Sequence, residues 1–437
     1  MAVQSGSARP DLDAIRKALT AAGVASRPAG PSDAIDGVQP IVVATPADET
    51  AVAAALRAAS SLGARVAPRG GGTRMRVGQK PTCIDLILEV TAVAGVVEHE
   101  PADLTATVQA GIRLADLQRE LGRHGQFVPI DPPLPGSATI GGTLASNASG
   151  PLCQRYGTAR DLLIGVRVAG ASGVVTHAGG KVVKNVAGYD LCKLHVGSLG
   201  TLGVITEASL KLAPLPETRQ TVIARSRSVE DALALARVLA RTGVRPLAMD
   251  VLSASAADRC GLSPERGAAA VTAIQLGGHP AIVRREFEDV TAAAGRLAVE
   301  ALQDDKKQDE LWGQVRDLPV DSLTERSLVL RGSVPLAALP AAWAAVAGAL
   351  PDSDTALWAR AGIGTLYATG RAAENQSAVA EAIGQARAQV QALGGSLTVE
   401  RCPLALKAQL DFWGLGDATA RIILAIKRPL DPDGVLK

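Results

Sequence analysis

Apolar residues along the first part of the chain follow the spacings of strands and helices in turn. Ile41 to Val43 is a short apolar run that predicts a strand, and the spacing within Ala51 to Leu62 predicts a helix. Thr45 and Pro46 are favourable residues for a helix N-terminus, so we expect them to begin this helix. Arg65 to Pro68 then reads as a returning strand, and the three segments together predict a β-α-β unit.

The chain before this unit is predicted to be a short helix followed by a linker. Apolar residues fall on one helical face between Asp11 and Ala22. Residues 27–39 are rich in Pro, Gly and Asp, a composition that is typical of a linker. We therefore expect residues 1–39 to be an N-terminal helix and linker, and the first domain to begin near Pro40.

The later part of the chain has the pattern of a second α+β domain. After Pro216, apolar strands alternate with helices that are rich in Ala and Leu. This alternation predicts an antiparallel sheet covered by helices on one face. The fold class is therefore predicted to be α+β, with a first domain at 40–216 and a second domain at 217–437.

Three glycine-rich loops of the first domain lack a hydrophobic period. They are Pro68 to Thr73 (PRGGGT), Asp131 to Gly150, and Lys181 to Thr206. Glycine turns easily with positive φ, so such a loop can point successive N–H groups at a close anion. Each loop alone could be a plain surface loop, and PRGGGT is neither a P-loop nor a Rossmann fingerprint. Three such loops in one domain indicate a long, extended ligand held by backbone contacts.

The composition excludes several classes of partner. Lys+Arg 45 against Asp+Glu 43 gives a net charge of +2 without a long run of one sign, which argues against nucleic acid and against an anionic membrane surface. Aromatic residues are only 2%, too few for a base-stacking platform. No stretch has the roughly 20 apolar residues that a membrane span requires. We expect a cytoplasmic protein, or one attached to a membrane only through partners.

The five cysteines are widely spaced and include no Cys-x-x-Cys pair. They are typical of small buried apolar residues in a reducing compartment, and their spacing does not suit an iron–sulfur cluster. The sequence also has no histidine pair with metal-ligand spacing. No metal site is therefore predicted.

The loop motifs resemble a known family of flavoproteins. PRGGGT, TIGGTLASNASG, RYGTARDLLIGV and KNVAGYDLCKLHVGSLGTLGVIT, in this order, are similar to the FAD-binding domain of the vanillyl-alcohol oxidase and p-cresol methylhydroxylase (PCMH) family. Within that family they resemble the smaller FAD-binding subunits of bacterial glycolate oxidases. The resemblance implies a PCMH-type FAD-binding domain of two α+β subdomains, followed by a cap domain that covers the isoalloxazine.

The resemblance also implies which residues hold the cofactor. Two groups would hold the diphosphate, namely Arg69, Gly70, Gly71, Gly72 and Thr73, and Thr139, Ile140, Gly141 and Gly142. Ser146, Asn147 and Gly150 would line the flavin. Gly203, Val204 and Ile205 would offer main-chain atoms to the cofactor. Members that bond FAD through histidine carry it at the position of Thr73, and those with a cysteinyl link carry the cysteine near Ser137. FAD is therefore expected to be bound non-covalently.

The reaction that the resemblance implies is hydride transfer from the Cα of a 2-hydroxy acid, such as glycolate, to flavin N5. The catalytic relatives have an Arg and a Thr where this chain has Val183 and Ala187, and a metal-binding hairpin rich in His where it has Ala361 to Tyr367. The usual hydroxy-acid site is therefore expected to be absent from this chain.

Four residues remain as candidates for catalysis or for binding the substrate. Lys184, Tyr189 and Tyr367 are the catalytic candidates, and Arg360 is the candidate ligand of a carboxylate. Each has a structural alternative: Lys184 and Tyr189 as a loop clamp beside the flavin, and Tyr367 as a sheet residue with a satisfied hydroxyl.

Three functions are therefore left open. The first is an FAD-binding subunit of a glycolate oxidase-like complex, with a homologous catalytic flavoprotein subunit and an iron–sulfur subunit as partners. The second is a stand-alone FAD-dependent oxidoreductase acting on a small hydroxy acid or alcohol. The third is a subunit that retains flavin as a scaffold without redox turnover.

Overall fold

The computed structural model describes residues 10–181, 189–262, 268–321 and 323–437. The helices of the described residues are α1 Leu12–Ala21, α2 Glu49–Ser61, α3 Leu114–Gly122, α4 Ile140–Ser146, α5 Cys153–Tyr156, α6 Ala159–Leu162, α7 Cys192–His195, α8 Val229–Leu239, α9 Ala254–Arg259, α10 Pro280–Ala294, α11 Asp305–Asp317, α12 Leu339–Ala349, α13 Gln376–Ala392, α14 Leu404–Lys407 and α15 Asp417–Leu430. The strands are β1 Ala25–Pro28, β2 Val42–Thr45, β3 Val66–Arg69, β4 Leu86–Glu89, β5 Val96–Glu100, β6 Thr105–Gln109, β7 Gln126–Phe127, β8 Leu163–Ala169, β9 Val175–Gly179, β10 Val204–Lys211, β11 Ala213–Pro214, β12 Thr218–Ser226, β13 Ala248–Ser253, β14 Ala270–Gly278, β15 Ala298–Leu302, β16 Ser327–Ser333, β17 Ala356–Arg360, β18 Thr365–Arg371 and β19 Ser396–Arg401.

The first sheet contains the predicted β-α-β unit. Its strand order is β1-β2-β4-β3, with β2 and β3 both parallel to β4 and β1 antiparallel to β2. The helix of the unit, α2, begins later than the sequence pattern predicted. Its N-cap is Asp48, whose carboxylate accepts a hydrogen bond from the N–H of Ala51, whereas Thr45 is the last residue of β2. Asp48 reaches the free N–H groups of the first turn and therefore sets the helix start.

The segment predicted to be a helix and linker is part of this first sheet. Ile15 and Leu19 of α1 lie in the same apolar core as Val42 of β2, and the linker prediction overlaps β1. Asp33, further along, is buried, and its burial is tolerated because the carboxylate accepts hydrogen bonds from Arg27 and Arg69. The hydrogen bond from Arg27 is the main reason that the pKa of Asp33 lies well below its ordinary value. Composition indicated a linker because it does not reveal that this carboxylate is paired.

The second sheet has the order β5-β6-β10-β8-β9, and all its neighbouring strands are antiparallel. The loop predicted at Asp131 to Gly150 contains helix α4, which packs against this sheet. Thr139 caps α4 by accepting from the N–H of Gly142, and Ile140 and Leu144 are fully buried. Glycine disfavours a helix, so the sequence pattern missed α4, and it is the cap and the packing that stabilise the helix.

A third, larger sheet of eight strands forms the cap, and we call it the cap sheet. Its order is β15-β12-β14-β13-β17-β18-β16-β19, with every neighbouring pair antiparallel, as the sequence predicted. Helices α8, α10, α12 and α13 pack on one face, whereas α9 and α11 pack on the other. The α+β fold class is thus confirmed, but helices cover part of both faces. The buried residues of β12 and β13 alternate between the two cores, which requires two covered faces.

The end of the chain returns to the first sheet. The N–H of Val66 in β3 donates to the carbonyl oxygen of Val435, and the N–H of Lys437 donates to the carbonyl oxygen of Val66. Val435 and Leu436 are buried in the core of the first sheet. The cap and the first sheet are therefore joined by a strand-like contact as well as by the chain between them. Among the described residues, no helix is long and apolar enough to cross a membrane.

Candidate functional site

A cleft of about 300 Å³ lies where the three predicted loops meet. The loop after β3, helix α4 and the segment before β10 each contribute to its walls. Of the residues predicted to bind the cofactor, those that line the cleft are Gly70, Gly71, Gly72, Thr73, Thr139, Gly142 and Ser146. Leu199 and Thr201, from the third loop, complete the same wall. The structure therefore brings together loops that are far apart in sequence.

The glycines are needed because the first two loops touch each other. A Cβ on Gly71 would lie 1.7 Å from the carbonyl oxygen of Ser137, and a Cβ on Gly70 would lie 2.2 Å from Oγ1 of Thr139. Neither distance is possible without separating the loops. Gly72, by contrast, has φ +74° and faces the cleft, where a left-handed backbone favours glycine.

Arg69, one of the residues predicted to bind the cofactor, is not among those that line the cleft. The guanidinium donates to Asp33 at 3.0 Å and to Glu89 at 2.6 Å, so its charge is already neutralised. The residue stabilises the base of the loop by tying β3 to the segment after β1 and to β4. A motif does not distinguish a residue that contacts the ligand from one that supports its neighbour.

The remaining predicted cofactor residues in the second loop lie behind its surface. The N–H of Gly141 donates to the carbonyl oxygen of Ala110 at 2.7 Å, and Ile140 is buried beside it. Gly150 approaches Asp131, to which its N–H donates at 3.0 Å. These residues position the loop, and they are not among those that line the cleft.

Gly203 directly precedes β10, which begins with Val204 and Ile205, and none of the three is among the residues that line the cleft. A Cβ on Gly203 would lie 2.4 Å from Cγ1 of Val168, so the close approach that requires glycine is to β8. Val204 and Ile205 are buried in apolar cores. The wall residues of this loop, Leu199 and Thr201, precede them.

Three buried polar atoms in the second loop have no hydrogen-bond partner among the residues that the structure describes. They are Oγ1 of Thr143, Oδ1 of Asn147 and Oγ of Ser149. An unsatisfied buried polar atom costs about 1–3 kcal/mol, so several in one loop indicate a ligand that satisfies them. FAD offers a diphosphate for backbone N–H groups and ring nitrogen and oxygen atoms for such side chains. The residues present therefore fit this cofactor, and Asn147 was among those predicted.

Beyond Thr73, charged side chains lie between the cleft and the cap sheet, with Glu400 largely buried and Arg74 and Arg331 half-buried. Arg74 directly follows Thr73, and its guanidinium makes two contacts of 3.1 Å with the carboxylate of Glu400 on β19. Arg331 on β16 lies 3.9 Å from the same carboxylate. Burial opposes ionisation of Glu400, but the attraction of Arg74 and Arg331 outweighs it and lowers the pKa of this carboxyl group.

Tyr367 lies in the same region, in β18. Its ring stacks on Trp358 with centroids 5.1 Å apart, and its hydroxyl accepts a hydrogen bond from Nη1 of Arg360 at 3.2 Å. Tyr367 is therefore a buried sheet residue whose hydroxyl has a hydrogen-bond partner, which is the structural alternative to a catalytic role. Arg360, the predicted carboxylate ligand, is itself buried, and its Nη1 also contacts Sγ of Cys153 at 3.9 Å.

Two carboxyl groups near Arg360 have pKa values near neutrality. Asp250 pairs with Arg360 in the register of β13 and β17, and both its carboxylate oxygens lack a hydrogen-bond partner within the described part of the chain. Burial raises the pKa of Asp250 to about 7. Burial also raises the pKa of Asp131 to about 6, although the N–H groups of Leu152 and Gly150 donate to it.

Of the other two catalytic candidates, Tyr189 is not brought to this region. The side chain of Tyr189 is 95% exposed, so it does not meet the buried Tyr367. Lys184 lies outside the described residues. Pattern reasoning missed Arg74, Arg331, Asp250 and Glu400. A signal was available for Asp250, because it is a charged residue between the apolar residues Met249 and Val251 in a segment that alternates like a strand.

The cysteines behave as predicted for small buried residues. Cys153, Cys192, Cys260 and Cys402 are buried, and Cys83 is half-buried. Burial raises the pKa of Cys260 to about 12, so this thiol stays protonated at neutral pH. Among the residues that the structure describes, no group of three or more His, Cys, Asp or Glu side chains is arranged to hold a metal ion.

The fold and the cleft together define a flavoprotein of the PCMH type. The FAD binding domain family matches residues 40–179, and the C-terminal domain family of FAD linked oxidases matches residues 215–437. The chain therefore belongs to the FAD-linked oxidases. It is an FAD-dependent oxidoreductase.

Relatives with assigned names agree with this family. Glycolate oxidase subunit GlcD of Bacillus subtilis (strain 168) is 29% identical over 386 residues, which cover 85% of this chain and 82% of that protein. Glycolate oxidase subunit GlcE of Escherichia coli (strain K12) is 39% identical, but over 147 residues, 33% of this chain and 42% of that protein. These relatives thus support the family, and they do not single out the smaller subunit that the sequence motifs resembled.

A solved structure supports the fold. The structure of alkyldihydroxyacetonephosphate synthase superposes with a TM-score of 0.68 at 18% identity, covering 91% of this chain and 76% of that one. At this identity the similarity concerns the fold alone, namely a PCMH-like FAD-binding part beside an antiparallel cap sheet.

Proposed function

We propose that this FAD-dependent oxidoreductase oxidises a small 2-hydroxy acid at the Thr73 end of its cleft. When bound, the flavin supplies the hydride acceptor. The protein would hold the diphosphate with the N–H groups of Gly70 to Thr73, which lie beside the start of α4. Thr143, Asn147 and Ser149 would satisfy polar atoms of the ring. The GlcD and GlcE likenesses support glycolate or a close homologue as the substrate.

The observation that carries this proposal is a cavity of about 40 Å³ next to Thr73. Its charged lining residues are Arg74, Arg76, Arg401 and Glu400, and Arg76 is already paired with Asp36 and Glu325. One water needs about 10–15 Å³ by the same measure, so the cavity suits a molecule of only a few heavy atoms. Arg74 and Arg401 together carry one positive charge more than Glu400 balances, which favours a carboxylate ligand.

Arg74 is the proposed carboxylate ligand because its position is fixed. Glu400 holds two nitrogen atoms of Arg74. The Nε of Arg74 is buried and has no partner among the described residues, so it is left to donate to a ligand. Thr73 lines both this cavity and the large cleft, so substrate and cofactor would meet beside it. Tyr367 is proposed to position Arg360 and not to contact the substrate.

The test is anaerobic flavin bleaching by the purified FAD-loaded chain. Glycolate and D-lactate should reduce the flavin, whereas ethylene glycol, which lacks the carboxylate, should not. Arg74→Gln should lose the acid-dependent bleaching, and Arg119→Gln, which alters an exposed arginine of α3, should retain it. A flavin that glycolate and D-lactate leave oxidised would contradict turnover by the isolated chain.

A second candidate function is an FAD-binding subunit of a glycolate oxidase-like complex. The GlcE likeness favours it, as does helix α15, which has no buried residue and exposes Ile422, Ile423, Ile426 and Leu430. An exposed apolar face of this kind is typical of a protein contact. The proposed partners are a homologous catalytic flavoprotein subunit and an iron–sulfur subunit. Bleaching that requires those subunits would favour this candidate over the first.

Non-covalent attachment of FAD is part of both proposals. Relatives carry a linking histidine at the position of Thr73 and a linking cysteine near Ser137. Thr73 and Ser137 have hydroxyl side chains, which do not form such a bond to the flavin. Acid precipitation should therefore release unmodified FAD into the supernatant. Yellow colour that remains with the protein pellet would show a covalent link.

A further inference from the structure

We propose that Trp413, on the segment between β19 and α15, forms an aromatic wall of the cofactor cleft and packs against a planar ring of FAD. Trp413 belongs to the cap side of the chain, far in sequence from the three glycine-rich loops. Its half-buried side chain nevertheless lines the same cleft as Gly70 to Thr73. None of the sequence motifs pointed to it.

The lining of the cleft that holds Trp413 includes apolar side chains. They are Ile35, Met75, Val77 and Ile84, which lie between or beside the glycine loop and Gly78 in sequence or in the adjoining core. The indole also packs closely on the backbone, because a Cβ on Gly78 would lie 3.2 Å from Cζ2 of Trp413. Apolar walls with an aromatic face suit a flat ring and do not suit a diphosphate. The lining of the cleft thus offers apolar side chains and an indole for a ring as well as glycine backbone for the diphosphate.

Lys407 anchors the segment that carries Trp413. It is 1% exposed, and its Nζ donates to Oδ2 of Asp36 at 2.6 Å and to the carbonyl oxygens of Arg76 and Gly78 at 2.7 and 2.8 Å. A buried ammonium is tolerated only when it is paired and hydrogen-bonded, and these three acceptors meet that need. Nζ also lies 4.9 Å from the ring centroid of Phe412, next to Trp413.

The bonds of Lys407 reach the wall of the cleft itself. Gly78 lines the cleft, and the next residue, Gln79, donates from Nε2 to the carbonyl oxygen of Leu410 at 2.7 Å. The cap segment and the 76–79 loop therefore form one rigid wall. Trp413 is held in place for a ligand instead of being free to turn into solvent.

Trp413 can be observed selectively, because the other tryptophans lie elsewhere. Trp312, Trp343 and Trp358 are buried in the cores of the cap sheet, and none of them lines the cleft. A flavin or adenine ring that stacks on the indole should quench the emission of Trp413. We also expect Trp413 to contribute to the affinity for FAD, since stacking of a base on an aromatic side chain contributes measurably to affinity.

The experiment titrates FAD into apo-protein and measures the dissociation constant by calorimetry and the tryptophan emission in parallel. Trp413→Ala should raise the dissociation constant about tenfold or more, the factor that corresponds to ~1.4 kcal/mol. Trp413→Phe should bind FAD nearly as well as the wild type but lose the main part of the quenching. Trp343→Phe, which removes a buried tryptophan of the cap core, is the matched control and should keep the quenching.

Titrations with ADP and with FMN identify the ring. Weaker binding of ADP alone by Trp413→Ala would place the adenine at the indole, and weaker binding of FMN alone would place the isoalloxazine there; both outcomes support the proposal. Wild-type affinity for FAD, ADP and FMN in Trp413→Ala would overturn it. Should Trp413→Ala fail to fold, quenching that persists in Trp413→Phe would overturn it equally. These are binding measurements, so they are independent of which substrate the enzyme turns over.

Discussion

The cofactor cleft and the buried charged cluster beside it are built in opposite ways. The cleft is made largely of backbone, with Gly70 to Gly72 and helix α4 brought into contact. The charged cluster consists of single side chains, such as Arg74, Asp250 and Glu400, from separate strands and loops. Backbone recognition needs runs of glycine and leaves a motif in the sequence. Recognition by side chains needs only one residue per strand and leaves none.

The largest effect is expected from Gly71→Val, which attacks the backbone side of this comparison. The new side chain would collide with the carbonyl oxygen of Ser137, which lies 1.7 Å from the ideal Cβ position, and would force the two loops apart. We expect soluble protein that is purified without flavin, as judged by its absorption spectrum. Gly142→Val should act in the same direction more weakly, because its Cβ would meet only Oγ1 of Thr139 at 3.1 Å.

The matched control for Gly71→Val is Gly136→Ala in the opposing loop. Gly136 has no atom within 4 Å of its Cβ position and does not have a positive φ. Gly136→Ala should therefore retain full flavin occupancy. Equal occupancy in Gly71→Val and the wild type would show that contact between the loops is not needed for binding.

The next effect concerns the charged cluster. Glu400→Gln would leave the buried guanidinium of Arg74 without its ionic partner, which is expected to lower the free energy of unfolding by about 3 kcal/mol. Glu120→Gln removes the partner of Arg123 in an exposed pair and should cost less than about 0.5 kcal/mol. Chemical denaturation of both variants gives the comparison. An equally small loss of unfolding free energy in both variants would mean that the ion pair between Arg74 and Glu400 does not stabilise the fold.

A smaller, pH-dependent effect is expected from Asp250. Burial raises the pKa of Asp250 from 3.8 to about 7, so between these values the folded protein binds a proton that the unfolded chain has released. Stability from this group is present at low pH and is lost as pH rises through the folded pKa, at up to about 1.4 kcal/mol per pH unit. Asp250→Asn should flatten the fall in unfolding free energy between pH 5 and pH 7. An unchanged slope would rule out the raised pKa.

The smallest effects separate the two tyrosines that were candidates for catalysis. Tyr367→Phe removes the hydroxyl that accepts from Arg360 and should cost about 1 kcal/mol of unfolding free energy. Tyr189→Phe alters a side chain that is almost fully exposed and should change neither stability nor the rate of flavin reduction. A marked loss of flavin reduction in Tyr189→Phe would restore that residue as a catalytic candidate.

The sequence was informative where one local pattern determines the structure. It predicted the α+β class, the antiparallel cap sheet and the loops that form the cleft. It did not separate Gly72, which faces the cleft, from Arg69, which is paired with Asp33 and Glu89. It also missed helix α4, since two glycines hide a helix whose stability comes from Thr139 and from packing. Trp413 and Lys407 depend on contacts over more than 300 residues, which no local pattern contains.

The most direct test of the central claim is calorimetric titration of FAD into the purified apo-protein. The claim is that backbone from three glycine-rich loops forms one site for one dinucleotide. The account predicts saturable binding of one FAD per chain, retained in Gly136→Ala and abolished in Gly71→Val. A correctly folded wild-type protein without measurable affinity for FAD would contradict it.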